Sequence, residues 1–164
     1  MFDMRNKVFF KLIYIFVALL LSKNTFGVEA EIGKWNFFKE ENYCFIVSLP
    51  TKEEGNYQPT NRGNTYLMVY RINKSLESVF YVIAGYNYNK EELIEIKIDN
   101  SKYELFSVGD DSAWSKNQDK DIIYAMKKGN TLILKGTSSR GNLTTDTYTL
   151  KGFTVAFNKL SKEC

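Results

Sequence analysis

A cluster of polar residues near the end of the chain is the first candidate for chemistry. It consists of Ser138-Ser139-Arg140-Gly141, followed by Asp146. The sequence of 164 residues contains no histidine, which excludes Ser-His and Cys-His catalysis. A Ser-Lys enzyme or a carboxylate-pair enzyme remains possible from the residue types alone.

The same cluster is also typical of a β-hairpin turn. Gly141-Asn142 is a residue pair typical of a tight turn, and the Thr-rich segments on both sides have the pattern of strands. We therefore favour a structural role for the cluster and predict no catalytic residue. Arg140 is kept as a candidate for partner binding, because a guanidinium at a loop tip can hold an anionic group.

Acidic residues and aromatic residues suggest two further kinds of site. Calcium could be held by four aspartates, Asp110, Asp111, Asp119 and Asp121. Their spacing does not follow an EF-hand loop and favours a solvated loop before a helix N-terminus, so we expect no metal and no cofactor. Trp114 lies in that predicted loop and is our preferred exposed residue for binding a partner. The neighbouring tyrosines are more simply strand residues.

The chain has two cysteines, Cys44 and Cys164. An even count in an exported protein favours a disulfide, and the alternative is two free thiols. One bridge between these positions would enclose almost the whole domain. Such a bridge stabilises by at most about 4–5 kcal/mol, for a loop of roughly a hundred residues.

Residues 1–27 have the pattern of a secretory signal peptide. Basic residues precede the apolar run Leu12 to Leu21, which is shorter than the about 20 residues of a membrane-spanning helix. Cleavage is expected after Gly27 or after Ala30, and the alternative is an uncleaved membrane anchor. The pattern predicts a periplasmic, outer-membrane-associated or secreted protein.

The leader also accounts for the basic character of the chain. The whole sequence has a formal net charge of +3, and the leader carries four basic residues and one acidic residue. The remainder is therefore neutral and offers no basic patch for nucleic acid or anionic membranes. We predict one domain over residues 28–164, with no integral membrane span after cleavage.

Period-two alternation of apolar residues predicts a domain made mainly of strands. The predicted strands are 35–38, 43–49, 66–72, 78–84, 92–98, 103–108, 131–137 and 144–150. Short segments separated by Gly-, Asn- and Asp-rich turns favour an antiparallel β-sandwich or barrel-like domain. The long stretch 51–65 reads as a flexible surface loop.

Two short helices are expected beside the strands. The first covers 119–128, where acidic residues at the start and lysines at the end suit the helix dipole. The second covers about 153–160, with Phe153, Ala156, Phe157 and Leu160 on one face. We expect this helix to lie over the sheet and to carry Cys164 towards Cys44.

Motifs spread along the chain resemble those of the invasion-associated locus B proteins of alphaproteobacteria. They are Gly33-Lys34-Trp35, Tyr43-Cys44, Ser112-Ala113-Trp114, Ser138 to Gly141, and Asp146 to Ala156. Asn142-Leu143 and Thr149 depart from the family pattern at turn or strand positions. The resemblance implies an exported periplasmic or outer-membrane-associated protein. Some members are linked to host-cell invasion, and the resemblance supplies no catalytic residue.

Three functions from different classes are compatible with the sequence. The first is a non-enzymatic protein that binds an envelope or surface partner, which an exposed apolar patch near Trp114 or the tyrosines would favour. The second is a periplasmic structural or stress-related protein, which a uniformly polar surface would favour. The third is an envelope hydrolase, which a deep pocket with two convergent acids would favour.

Overall fold

The fold is a single antiparallel sheet with two helices. The computed structural model describes residues 31–57, 61–73 and 75–164, and the leader predicted for residues 1–27 lies outside them. The described residues form ten strands in one sheet of order β1-β2-β4-β5-β8-β7-β6-β9-β10-β3. The sheet curls into a half-barrel, which is the barrel-like form of the predicted fold class. The strands are β1 (Asn36–Lys39), β2 (Tyr43–Ser48), β3 (Lys52–Gly55), β4 (Tyr66–Ile72), β5 (Val79–Ile83), β6 (Ile94–Ile98), β7 (Ser101–Phe106), β8 (Ser112–Ser115), β9 (Thr131–Thr137) and β10 (Leu143–Thr149).

The concave face of the sheet carries the hydrophobic core. Alternate residues of the strands point inward, and α1 (Asp119–Lys128) and α2 (Phe153–Glu163) pack over them. The predicted apolar stripe of α2 is correct, because Phe153, Ala156, Phe157 and Leu160 are all buried. In the part of the chain that the structure describes, no helix is long and apolar enough to cross a membrane.

Two strands lie where the sequence predicted loops. Lys52–Gly55 is exposed throughout and has no apolar alternation, yet it pairs with β10 along four residues. Ser112–Ser115 is too short to show a period, and it is fixed between β5 and β7. Both predictions were wrong because backbone pairing with distant strands, and not side-chain pattern, holds these segments.

A disulfide joins Cys44 to Cys164, with the two Cα atoms 5.8 Å apart across a sequence separation of 120. It links α2 to β2, as the sequence predicted. Cys44 is completely buried, and its register partner on the neighbouring strand is Arg71. The bridge therefore fixes α2 over the same end of β4 that carries this arginine.

Candidate functional site

The convex face of the sheet carries an aromatic surface that the core does not use. On β4 and β5 the outward positions are aromatic or apolar as well as most inward ones, since inward Val69 and Phe80 alternate with outward Tyr70 and Tyr81. The outward residues stand apart from the core cluster and from the partly buried residues packed on it. We call this surface the aromatic outer face, and it comprises Phe38, Tyr43, Tyr66, Met68, Tyr70, Tyr81, Trp114 and Phe106, together with Phe45, which lies on the same side but is itself buried.

Strand register places these side chains next to one another. Tyr81 lies opposite Trp114, and Trp114 lies opposite Phe106. The ring centroids are 6.5 Å apart for Tyr70 and Tyr81, 5.3 Å for Tyr81 and Trp114, and 5.9 Å for Trp114 and Phe106. An unbroken row of aromatic contacts therefore crosses β4, β5, β8 and β7.

The row continues towards the edge of the sheet. Phe45 lies opposite Tyr70 in the register of β2 and β4. Its ring stacks on Phe38 at 5.1 Å and on Tyr43 at 5.9 Å. Tyr43 is 41% exposed and Phe106 is 39% exposed, so the two ends of the aromatic outer face are open to solvent.

Trp114 is the sequence candidate that this surface contains. The structure corrects its setting, because it belongs to a strand and not to a loop, and its side chain is half-buried between neighbouring rings. The paired backbone of β8 holds the indole in place. A rigid aromatic side chain loses little conformational freedom on binding, which suits a contact residue.

Acidic groups border the aromatic outer face at β8. Burial raises the pKa of Tyr81, and the nearby carboxylates of Asp111 and Asp110 add to this effect. The pKa of Asp110 is lowered, chiefly by a hydrogen bond from the Ser112 hydroxyl at 2.7 Å. Glu104 lies on the outward side of β7, two residues from Phe106. This rim is negatively charged.

The remaining part of the convex face is mostly polar, with Ile133 and Leu143 as apolar exceptions. On β6 and β7 the outward positions form charged pairs such as Lys102 with Glu95, whose Nζ and Oε2 atoms are 3.1 Å apart. On β10 the outward positions are Thr145, Thr147 and Thr149. The aromatic character is therefore confined to one half of the convex face.

A second region, the polar cluster around Arg62, joins the end of β5 to β10. The guanidinium of Arg62 bonds Asp146 through both Nη atoms, each 2.6 Å from a carboxylate oxygen. Its Nε donates to the carbonyl oxygen of Ala84 at 2.6 Å. The Arg62 side chain is 5% exposed and that of Asp146 is 0% exposed, so this ion pair is buried and bidentate.

Further groups complete the polar cluster. Arg62 also donates to Tyr57, Thr65 and Glu53. The rings of Tyr57 and Tyr86 lie within 5.3 Å and 5.1 Å of the guanidinium carbon. Burial raises the pKa of Tyr86 to about 12. All three guanidinium nitrogens of Arg62 therefore donate hydrogen bonds to protein oxygens.

The polar cluster changes the interpretation of the segment 51–65. The sequence predicted a flexible surface loop, but Arg62 anchors its end to β10, and Gly63 bonds the carbonyl of Gly85 at 2.9 Å. A Cβ at Gly85 would lie 2.4 Å from the Gly63 oxygen. The two backbones can approach so closely because position 85 is glycine. A cleft of about 710 Å³ lies beside them, with Glu53 and Asp111 in its wall.

The polar residues that the sequence grouped together separate in the structure. Ser138 to Gly141 form the turn between β9 and β10, where Gly141 donates to Ser138 and has a φ of 82°. Arg140 is exposed on this turn and lines a cleft of about 280 Å³ beside Tyr57 and Tyr86. Trp114 lines neither this cleft nor the larger one, and Asp146 is buried.

The four aspartates proposed for calcium also separate into two places. Asp110 bonds Ser112 beside β8, whereas the carboxylate of Asp119 accepts the backbone N–H of Phe80 at 2.7 Å. Asp121 lies in the first turn of α1. Among the described residues, no group of three or more potential ligands could hold a metal ion.

Sequence reasoning missed the aromatic outer face and the role of Arg62. The signal for the face was present, because the outward set of β4 (Tyr66, Met68 and Tyr70) is apolar or aromatic where a half-solvated strand would show a polar set. The tyrosines were interpreted mainly as strand residues, and a patch near them was kept only as a possible sign of a binding protein. Arg62 gave no comparable signal, since its partners Ala84 and Asp146 are distant in sequence.

Comparison with known proteins identifies a family and a structure of similar fold. The family of invasion associated locus B proteins matches residues 37–161 of the chain. Among solved structures, the chain is similar to invasion associated protein B from Bartonella henselae, with 18% identity and a TM-score of 0.55. The similarity covers 79% of this chain and 93% of the other chain, and it concerns the fold. No curated protein matches the chain.

Proposed function

The chain belongs to the invasion-associated locus B family, and on that premise we propose that it is an exported envelope protein that binds a partner protein through the aromatic outer face. The predicted leader and the disulfide support export to the periplasm, the outer membrane or the medium. In this proposal residues 28–164 form the mature domain, and the protein is not an enzyme.

The row of rings from Tyr70 to Phe106 carries the proposal. These side chains lie on the convex face, where they add nothing to the core cluster. Aromatic residues are enriched at protein interfaces because each contributes a large apolar area from few rotatable bonds. The polar half of the same face shows that the fold itself does not require rings at outward positions.

Charge defines the partner that this surface suits. Asp110, Asp111 and Glu104 give the aromatic outer face an acidic rim. A second copy of the same face, related by two-fold symmetry, would bring these carboxylates together and be repelled. We therefore propose a different protein, with an apolar centre and a basic rim on its contact surface. Arg140 remains a candidate for a separate contact on the β9–β10 turn.

The bonding of carboxylates to Arg62 in the polar cluster argues against the hydrolase function and for the binding function. In a carboxylate-pair hydrolase one carboxyl group must hold a proton for the leaving group. Of the two acids in the wall of the larger cleft, Glu53 and Asp111, Glu53 instead binds the guanidinium of Arg62, as Asp146 also does. This arrangement suits anchors of a loop. A uniformly polar surface would favour a structural or stress-related protein, and the aromatic outer face is not polar.

Capture from a solubilised envelope fraction, with the purified protein as bait, tests the proposal. Trp114→Ser should reduce specific capture at least tenfold, because it removes the ring that joins Tyr81 to Phe106. Asp111→Asn should reduce it two- to threefold, because rim charges contribute little affinity. Ile133→Ser is the matched control, since Ile133 is also half-buried and points outward but lies on the polar half.

Two outcomes would contradict the proposal. One is equal capture by the Trp114→Ser and Ile133→Ser proteins, since the aromatic outer face would then not be the contact surface. The other is binding of the protein to protein-free lipid vesicles that Trp114→Ser abolishes, which would assign the face to lipid.

A further inference from the structure

The second buried arginine of the domain differs from the first. Arg71 is 9% exposed and sits on the concave side of β4. Its Nε and Nη2 both donate to the hydroxyl oxygen of Ser78, at 3.1 Å and 2.9 Å. Within the described residues no carboxylate pairs with it. A buried guanidinium without a counter-charge retains a large part of its desolvation cost.

The hydrogen bonds to Ser78 use one edge of the guanidinium and leave the other. Arginine presents five N–H donors in a planar fork. The edge formed by Nε and Nη2 converges on the single Ser78 oxygen. The end formed by Nη1 and the second hydrogen of Nη2 meets no oxygen among the described residues. Two parallel N–H groups in this geometry match the two oxygens of a carboxylate.

The open end of Arg71 lies in a cleft. This cleft has a volume of about 490 Å³ and lies between the β4–β5 connection and the two helices. Its walls include Val79, Ile123, Tyr124 and Phe157, so one part of the lining is apolar or aromatic. A concave site with apolar walls and one charged anchor is the usual form of a small-ligand site.

A second cation lies in the same place. The Lys127 Nζ atom is 4.0 Å from the centroid of the Phe157 ring, and the Arg71 guanidinium carbon is 5.9 Å from it. Neither cation forms an ion pair within the described residues. Glu77 and Asp119 also line the cleft, but the Asp119 carboxylate is bonded to the backbone of Phe80. With Lys120, the lining has three cations against two carboxylates and a net charge of +1. The two cations beside the Phe157 ring therefore favour an anion at that part of the cleft.

We propose that this cleft binds a carboxylate attached to an apolar or aromatic body. Arg71 holds the two carboxylate oxygens, Lys127 adds charge at the rim, and the body lies against Phe157 and Ile123. The carboxylate can belong to a free organic acid or to the C-terminus of a peptide. The site is on the concave side of the sheet and is independent of the aromatic outer face.

A titration of the isotope-labelled protein with phenylacetate, followed by amide NMR shifts, tests this assignment. Saturable shifts are expected at Ser78, Lys120 and Ile123, with a dissociation constant on the order of 1 mM for so small a ligand. The neutral analogue 2-phenylethanol and inorganic phosphate should each bind at least tenfold more weakly. Equal binding of either compound would overturn the assignment to a carboxylate with an apolar body.

Variants locate the binding in the cleft. Arg71→Met should weaken phenylacetate binding at least tenfold, and burial of methionine here should keep the domain folded. Lys127→Gln replaces an exposed side chain and should weaken phenylacetate binding about threefold. This second variant still tests the proposal if the Arg71→Met protein does not fold. Arg140→Met is the matched control, because Arg140 lies on the β9–β10 turn. Unchanged binding by the Lys127→Gln and Arg71→Met proteins would refute the proposal.

A peptide that ends in phenylalanine separates the two sources of the carboxylate. If a peptide C-terminus is the ligand, the free acid should produce the phenylacetate shifts and its C-terminal amide should not. If only phenylacetate binds, the site takes free organic acids. Binding of the amide as tightly as the acid would overturn the proposal, since the carboxylate would then not be recognised.

Discussion

The polar cluster around Arg62 and the aromatic outer face use side chains in opposite ways. In the polar cluster every nitrogen of Arg62 already donates to a protein oxygen, and the ion pair with Asp146 is buried. On the aromatic outer face Tyr81 and Trp114 contact only part of each other's surface and remain half-exposed. The hydrogen-bonding groups of Arg62 in the first region are therefore satisfied within the chain, and these bonds stabilise the fold. The second has surface left for another molecule.

The largest effect should come from breaking the polar cluster. Asp146→Ala would leave Arg62 buried without its counter-ion, so the free energy of unfolding should fall by about 3–5 kcal/mol. Urea denaturation measures this loss. Thr145→Ala is the control, because its side chain points outward on the same strand, and it should change the free energy by less than about 0.5 kcal/mol.

The double variant Arg62→Met/Asp146→Leu sharpens the same test. Apolar residues of similar size remove both charges together, so most of the lost stability should return. A loss below about 1 kcal/mol for Asp146→Ala would mean that the ion pair does not hold the loop. The polar cluster would then not be the stabilising region of the comparison.

The second-largest effect on stability should come from alkaline pH, which acts on the buried tyrosines. Burial raises the pKa of Tyr86 to about 12, and it also raises those of Tyr88 and Tyr148. The folded protein therefore keeps protons that the unfolded chain loses near pH 10. The free energy of unfolding should fall as pH rises above about 10, by up to about 1.4 kcal/mol per pH unit for each tyrosine.

Denaturation at pH 8 to 11 checks this dependence, with Tyr86→Phe as the comparison. This variant has one titrating group fewer, so its free energy of unfolding should decline less steeply with pH. Equal slopes for the variant and the parent protein would show that Tyr86 titrates alike in the folded and unfolded states.

The smallest effect on stability is expected at the aromatic outer face. Tyr81→Ala should cost about 1 kcal/mol, because the ring is half-exposed and loses little buried area. Phe80→Ala, one residue away but completely buried in the core, should cost about 3–5 kcal/mol. Thermal denaturation of the two variants gives the difference. Similar costs would mean that the outer ring is as well packed as the core.

Two strands, β3 and β8, could not be predicted from the pattern of apolar residues. β4, β9 and α1 begin and end where alternation and charge predicted them. β3 and β8 were missed, because four residues are too few to show a period and β3 is exposed on both sides. Hydrogen bonds to β10, β5 and β7 hold these segments, and those partners are remote in sequence.

The candidate surface shows a similar division. Trp114 was chosen from its type, and the structure places it in the aromatic outer face, although in a strand. Arg140 was chosen for its place in a turn, which the structure contains, but it lines a different surface from Trp114. Which aromatic side chains become neighbours depends on register, and a shift of one residue would move a ring to the opposite face.

The sequence by itself determined the class of fold, the family motifs, the two helices and the pairing of its two cysteines. These depend on local periodicity or on there being one possible partner. Three features depend on the tertiary structure alone. Every guanidinium nitrogen of Arg62 is hydrogen-bonded to the protein, one end of the Arg71 guanidinium has no hydrogen-bond partner among the described residues, and one half of the convex face is aromatic. Each of these depends on contacts between residues far apart in the chain, and such contacts leave no periodic signal in the sequence.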